Sequence, residues 1–268
     1  MDKRMKTFSF YGAYETADIV KKILHVDDGQ FGSGHVESFI DGSDERKLLS
    51  LAKFSKITLL HGFILYCLND NFNHEKRYIK KYGSATIAWT ETIASLLSQY
   101  QINFRPIKLS DDDIFTDEIE RKKALFWLDN IDNSLHQLWL KLADEAFHIL
   151  FRDRMVLQFF NLHVANIIHD WDDLLTIYKT KKGYFKRCRM PSWLKKAIFH
   201  RDQGICVFCN KDLTGIYNTL SQKNFDHIVP LSQYGANDPT NIQLSCRDCN
   251  NQKSNKNNST SDSYAKWW

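Results

Sequence analysis

Four of the six cysteines in this 268-residue chain form two C-x2-C pairs, Cys206 with Cys209 and Cys246 with Cys249. Two intervening residues allow a tight turn that directs both sulfurs at one ion, and two such pairs supply the tetrahedral thiolate set that zinc binds. Because four thiolates leave no open coordination position, we predict a structural zinc ion. A redox pair is the alternative for a single C-x2-C motif, but two pairs in one segment favour zinc.

The segment between and after the cysteine pairs contains side chains suited to hydrolysis at an anionic centre. Asp226 and Asn250 offer hard oxygen ligands, which suit Mg²⁺ or Mn²⁺. His227 can accept a proton near neutral pH, since the ordinary pKa of an imidazole is about 6.5. Lys253 follows Asn250 by about one helical turn and adds a cation. These residue types can supply a proton acceptor, oxygen ligands for a hard cation and a positive charge.

Residues 190–256 resemble the HNH endonuclease family, whose core is a ββα-metal motif. The resemblance covers about a quarter of the chain and leaves the preceding residues unassigned. It depends on three short runs and one asparagine, which occur in the family's order. They are Arg201-Asp-Gln-Gly-Ile-Cys206, Asp226-His227-Ile-Val-Pro230, Asn241 and Cys249-Asn250-Asn-Gln-Lys253.

The resemblance implies a role for each residue of the catalytic set. His227 would be the general base, and Asp226 and Asn250 would hold the catalytic Mg²⁺ or Mn²⁺. Asn241 would fix the loop between the strands and the orientation of the histidine. Many relatives carry His where this chain has Asn250, but the asparagine side chain still offers an oxygen ligand.

Basic residues are predicted to contact the phosphates of a nucleic acid. By the resemblance, Lys253 and Arg201 would meet phosphate oxygens. Separately, 6 of the 11 residues over 179–189 are Lys or Arg, with Tyr184 and Phe185 among them. Cations for phosphates and aromatic rings for stacking favour nucleic-acid contact, and a solvated hinge is the alternative. The contacts that we predict within this basic cluster are Lys186, Arg187 and Arg189.

The elements that position these residues follow from the local pattern. We expect strands over 225–229 and 241–245, and a short helix from Cys246 that carries Asn250. Neighbouring strand residues point to opposite faces, so Asp226 and His227 reach one site only if the strand bends where it ends.

Charge and composition both change near residues 179–190. Residues 181–268 hold 14 Lys and Arg against 6 Asp and no Glu, whereas residues 1–180 hold 22 Lys and Arg against 26 Asp and Glu. The basic C-terminal part indicates an anionic partner. We therefore predict two domains: residues 1–185, and residues 186–268 as a zinc-bound ββα-metal nuclease domain.

The N-terminal domain is predicted to be mainly α-helical. There is no glycine between residues 84 and 182 and one proline, and apolar residues recur there at three- and four-residue spacing. Segments 12–25, 44–68 and 84–102 are further expected helices. The broad apolar helical face makes a homodimer or a protein partner a reasonable expectation for this domain.

We expect a cytoplasmic protein with no membrane contact. The longest apolar run, residues 57–68, is interrupted by His61 and Gly62 and is shorter than the roughly 20 residues of a membrane span. The first 20 residues also lack the unbroken apolar core of a secretory signal.

The predicted function is metal-dependent cleavage of a nucleic acid, with DNA as the expected substrate. Two biological settings are open: a regulated effector nuclease of antiphage defence, and a restriction-type enzyme that reads specific or modified DNA. RNA cleavage is an alternative for the substrate. A zinc protein that binds DNA without cutting it is the alternative from a different functional class.

Overall fold

The structure is a computed structural model of the chain. It describes residues 8–25, 30–43, 45–83, 86–109, 118–171, 175–215 and 223–265. Within these ranges the protein is mainly α-helical and has one two-stranded antiparallel sheet, which confirms the predicted fold class. None of the described helices is long and apolar enough to cross a lipid bilayer.

Among the described residues, eight helices precede the C-terminal elements. They are α1 Ala13–His25, α2 Gln30–Asp41, α3 Glu45–Ala52, α4 Leu59–Tyr82, α5 Thr86–Gln99, α6 Glu118–Asn130, α7 Asp132–Leu150 and α8 Arg154–Asp170. The C-terminal elements are α9 Ser192–Arg201, β1 Lys223–His227, β2 Ile242–Cys246 and α10 Arg247–Lys253.

The predicted helix over 12–25 corresponds to α1 and that over 84–102 to α5, with residues 84 and 85 outside the described ranges. The single helix expected over 44–68 is wrong, because α3 ends at Ala52 and α4 begins at Leu59. The Leu59 N–H donates to the buried Asp238 carboxylate at 3.0 Å, which caps the new helix. Helix α2 was not expected, since glycines within it disfavour a helix.

The chain divides into two compact units, residues 1–19 with 64–147 and residues 20–63 with 148–268. In the first unit, Leu97, Leu128 and Leu138 are fully buried. The buried Glu145 carboxylate accepts hydrogen bonds from the Tyr100 hydroxyl at 2.6 Å and the Ser9 N–H at 2.7 Å. These hydrogen bonds offset the free-energy cost of burying the carboxylate, and all of them lie within the same unit.

The second unit joins helical segments to the C-terminal elements. Asn237 donates its backbone N–H to the Leu51 carbonyl at 2.8 Å, and Asn161 of α8 donates its side-chain amide to the Thr240 hydroxyl at 3.2 Å. Composition places the domain boundary at residues 185 and 186, and that boundary stays a prediction. In space, residues 20–63 and 148–171 belong to the same compact unit as the C-terminal elements.

Candidate active site and zinc site

Strands β1 and β2 and helix α10 form one ββα unit. The strands pair antiparallel, with Asp226 opposite Gln243, and α10 begins directly after β2. The Lys253 ammonium of α10 donates to the His227 carbonyl at 2.7 Å and forms an ion pair with Asp226 Oδ2 at 2.9 Å. These two contacts fasten the helix across the end of β1.

The loop after β1 is fixed by Asn241, which lies just before β2. Asn241 Oδ1 accepts the Val229 N–H at 2.8 Å, and its carbonyl accepts the Ile228 N–H at 2.7 Å. Its Nδ2 donates to the carbonyls of Val229 and Ala236, both at 3.0 Å. This fully buried side chain is thus hydrogen-bonded to the loop, and its role in orienting His227 stays a prediction.

Asp226, His227 and Asn250 line a single cleft of about 730 Å³. Asp226 and His227 are consecutive residues, which point to opposite faces within a regular strand. Because β1 ends at His227, both residues can lie against the same cleft. His227 is 4% exposed, and among the described residues its Nε2 has no hydrogen-bond partner. The cleft therefore brings together the three residues predicted to act in hydrolysis.

The pKa of His227 is lowered to about 4 by burial and next by the positive charge of Arg187. The charge of Lys253 acts in the same direction, and the Asn237 side chain acts against it. The imidazole is therefore neutral at pH 7 and has a lone pair available to accept a proton.

The cleft residues fit a hard divalent cation. Asp226 is partly exposed, and its contacts with Lys253 and Gln243, at 2.9 and 3.2 Å, both fall on Oδ2. Asn250 adds a half-buried amide on the same cleft wall. A carboxylate and an amide oxygen are ligands that Mg²⁺ and Mn²⁺ accept, with water completing the shell.

The four predicted zinc ligands come together. The sulfurs of Cys206, Cys209, Cys246 and Cys249 all lie within 4.8 Å of one another, and Cys209 and Cys246 are 3.8 Å apart. Zn–S bonds of about 2.3 Å in a tetrahedron require sulfurs about 3.8 Å apart. The cluster therefore fits one zinc ion, as predicted.

Comparison with known proteins identifies this region. Residues 206–256 match the family model described as HNH endonuclease. The chain contains an HNH endonuclease domain. No curated protein and no solved structure matches the chain. The domain indicates a nuclease, a hydrolase that acts on nucleic acid.

Two residues predicted to contact phosphate have structural partners in the HNH domain. The side chain of Arg201 is 2% exposed, pairs with Asp202 at 2.8 Å and donates to the Ile242 carbonyl at 2.7 Å. The Lys253 side chain is also 2% exposed and is bonded to Asp226 and His227. Because both cations are buried and hydrogen-bonded, this geometry does not favour phosphate contact by either.

The basic cluster over 179–189 is placed differently. Lys186, Arg187 and Arg189 are all exposed. Arg187 lines the catalytic cleft, whereas Lys186 donates its ammonium to the Ile177 carbonyl at 3.1 Å. Tyr184 and Phe185, the two rings expected to stack, both line the cleft, but Phe185 is buried. Their contact with nucleic acid stays a prediction.

Sequence reasoning missed the buried polar residues that hold the HNH domain together. Asp202 accepts the Leu244 N–H at 2.8 Å, and the Val207 N–H donates to the Leu244 carbonyl at 3.0 Å, which joins the first knuckle to β2. Gln243 donates to Asp226 from the neighbouring strand. Strand register alone could have indicated Gln243, but no local signal marks Asp202.

Proposed function

We propose that the protein is a cytoplasmic, metal-dependent endonuclease that hydrolyses phosphodiester bonds in DNA. The observation that carries this proposal is the convergence of His227, Asp226 and Asn250 on one cleft beside a zinc-fitting cysteine cluster. Together these features supply a proton acceptor, two oxygen donors and a stable scaffold.

His227 is the general base in this proposal. Its imidazole is neutral at physiological pH, so it can take a proton from an attacking water molecule. Asn241 fixes the loop that follows His227 and limits the positions that the ring can adopt. Such a base typically contributes about 10²- to 10⁴-fold to the rate.

Asp226 and Asn250 hold the divalent cation. When bound, Mg²⁺ or Mn²⁺ neutralises charge that develops on the phosphate and the leaving oxygen. Lys253 keeps Asp226 in place through its ion pair, and Gln243 contacts the same oxygen. Cation-binding residues are therefore supported by β2 and α10 together.

The test is a cleavage assay with plasmid, linear duplex and RNA, each with Mg²⁺, Mn²⁺ or a chelator. We expect DNA cleavage that requires the divalent cation and falls at least about 10²-fold in His227→Ala, Asp226→Ala and Asn250→Ala. Gln252→Ala, at an exposed neighbour on α10, is the matched control and should cleave normally. Near-normal cleavage by folded His227→Ala would remove the proposed base.

The biological setting is tested with the purified protein alone. Sequence-specific bands favour a restriction-type enzyme, whereas silence until a partner is added favours a regulated effector of antiphage defence. Because one HNH site cuts one strand, a double-strand break requires a dimer or two successive events. DNA binding without cleavage under every divalent cation would support the non-catalytic alternative.

A further inference from the structure

A hairpin outside the matched HNH segment forms one wall of the catalytic cleft. This cleft arm, residues 178–187, is closed by a backbone bridge between Lys179 and Phe185 and by the Lys186 N–H, which donates to the Tyr178 carbonyl at 2.9 Å. Gly183 at its turn has φ +81°, a conformation that favours glycine. Thr180, Tyr184, Phe185 and Arg187 of the arm line the same cleft as Asp226 and His227.

The cleft arm is held in place by buried contacts. Phe185 is 2% exposed, and the buried Lys179 donates its ammonium to the Trp171 carbonyl at 2.9 Å. The Asn237 side chain donates to the Lys186 carbonyl at 2.8 Å. Because these contacts fix the backbone, the arm presents Tyr184 and Arg187 to the cleft in a defined arrangement.

Arg187 is the exposed cation of the cleft wall. Lys253 and Arg201 are buried and bonded within the domain, whereas Arg187 is exposed and close enough to His227 for its charge to act on the imidazole. A planar guanidinium can bind two phosphate oxygens at once. Arg187 is therefore suited to hold the phosphate of a strand that enters the cleft.

Tyr184 supplies an aromatic ring beside that cation. Its ring lies edge-on to Tyr234, with centroids 5.0 Å apart, and Tyr234 lies edge-on to His169 at 4.6 Å. A row of three rings therefore supports this side of the cleft. Stacking on an aromatic side chain requires a base whose face is free, as in single strands, bulges and mismatches.

We propose that the cleft arm binds an unpaired nucleotide of DNA next to the cut, with Arg187 on its phosphate and Tyr184 against its base. This inference rests on the proposed nuclease function and names its substrate class. The cleft volume of about 730 Å³ lies within the range of pockets that enclose small ligands. In a fully paired duplex the base faces are covered by their neighbours, so Tyr184 has no partner there.

The test compares four substrates of one sequence: paired duplex, duplex with a central bulge, single-stranded DNA and single-stranded RNA. We expect the bulged and single-stranded DNA to be cut with a KM lower than that of paired duplex. Tyr184→Ala should raise the KM for these two substrates by about 5- to 150-fold, the usual range for one stacked base, and so remove their advantage over paired duplex. Tyr184→Phe should retain the preference, since it retains the ring.

Ile177→Ala, which alters a 74%-exposed residue just before the arm, is the matched control and should behave as the unmodified protein. Equal cutting of paired and unpaired DNA, or a Tyr184→Ala variant with unchanged KM, would overturn the inference while leaving the nuclease function intact. A preference for RNA over single-stranded DNA would overturn the assignment to DNA. Fluorescence anisotropy without added divalent cation measures DNA binding by the cleft arm separately from cleavage. Equal affinity for duplex and single-stranded DNA would contradict the inference.

Discussion

The cysteine cluster and the candidate catalytic cleft are two regions of the same ββα unit whose residues fit metal ions, yet their ligand sets differ. The zinc site has four sulfur ligands within 4.8 Å of one another, so the protein supplies the whole coordination shell. The cleft has oxygen donors from Asp226 and Asn250 and leaves about 730 Å³ of open space. A closed set of soft ligands stabilises the fold, whereas an open set of hard ligands leaves room for substrate and water.

The two regions share helix α10. Cys249 and Asn250 are consecutive residues of this helix, and Cys246 directly before it accepts the Cys249 N–H at 3.5 Å. Zinc bound at this cluster would therefore fix the start of the helix that carries Asn250. The comparison predicts that damage to the zinc site abolishes both regions, whereas damage to the cleft leaves the zinc site intact.

The largest effect is expected from Cys209→Ser, which removes a zinc ligand at an exposed position. Structural zinc contributes about 10 to 16 kcal/mol, comparable to a typical domain stability of about 5 to 15 kcal/mol. We expect the HNH domain to unfold, with loss of bound zinc by metal analysis and loss of cleavage. Cys188→Ser, which alters a cysteine outside the cluster, should keep its zinc. A zinc-free Cys209→Ser variant with normal thermal unfolding would contradict the structural role.

A smaller effect is expected from Lys253→Met, which removes the ion pair between α10 and β1. Removing one partner of a buried pair costs about 3 to 5 kcal/mol, and the partly exposed Asp226 suggests the lower end. Urea denaturation should report this loss while the zinc content stays normal. Lys256→Met, at an exposed position, is the control. Equal stability of the two variants would show that the ion pair does not stabilise the domain.

The pH dependence of stability should reveal the buried histidine. The pKa of His227 is about 4 in the folded protein, below the ordinary value near 6.5, so the unfolded chain takes up the proton first as the pH falls. Stability is thus fully present above about pH 6.5 and decreases by about 2 kcal/mol from pH 7 to pH 5. The free energy of unfolding, measured by denaturation at pH 7 and pH 5, should not show this decrease in His227→Gln. An identical decrease in the variant and the unmodified protein would show that the buried His227 does not cause it.

The smallest effect is expected at the basic cluster. Reversing Lys186, Arg187 and Arg189 to Glu should flatten the slope of log affinity against log salt by about 0.7 to 0.9 for each phosphate that these side chains neutralise. Reversing Lys195 and Lys196, exposed residues of α9, is the control for a change of surface charge. An unchanged slope in the triple variant, or equal flattening in the control, would mean that the cluster does not bind the nucleic acid.

Much of the fold and of the candidate site was predictable because it depends on local spacing. A C-x2-C turn directs two sulfurs to one point wherever it occurs, and Asn250 and Lys253 lie one turn apart in any helix. The local pattern likewise indicated the two strands and the helix of the ββα unit, although β1 begins two residues before the expected 225–229 and β2 one residue after the expected 241–245. The break between α3 and α4 was missed, and part of its cause is not local, because the Asp238 carboxylate that caps α4 is 179 residues away in the sequence.

The sequence by itself determined the residue types on which the predicted chemistry depends: four cysteines spaced for zinc, an imidazole, and oxygen donors that suit a hard cation. Only the tertiary structure decided which cations are engaged, since Lys253 pairs with Asp226 and Arg201 pairs with Asp202, while Arg187 reaches the cleft. The physical reason is that a buried charge must find a partner in space. That partner depends on how distant segments pack, which residue spacing does not specify.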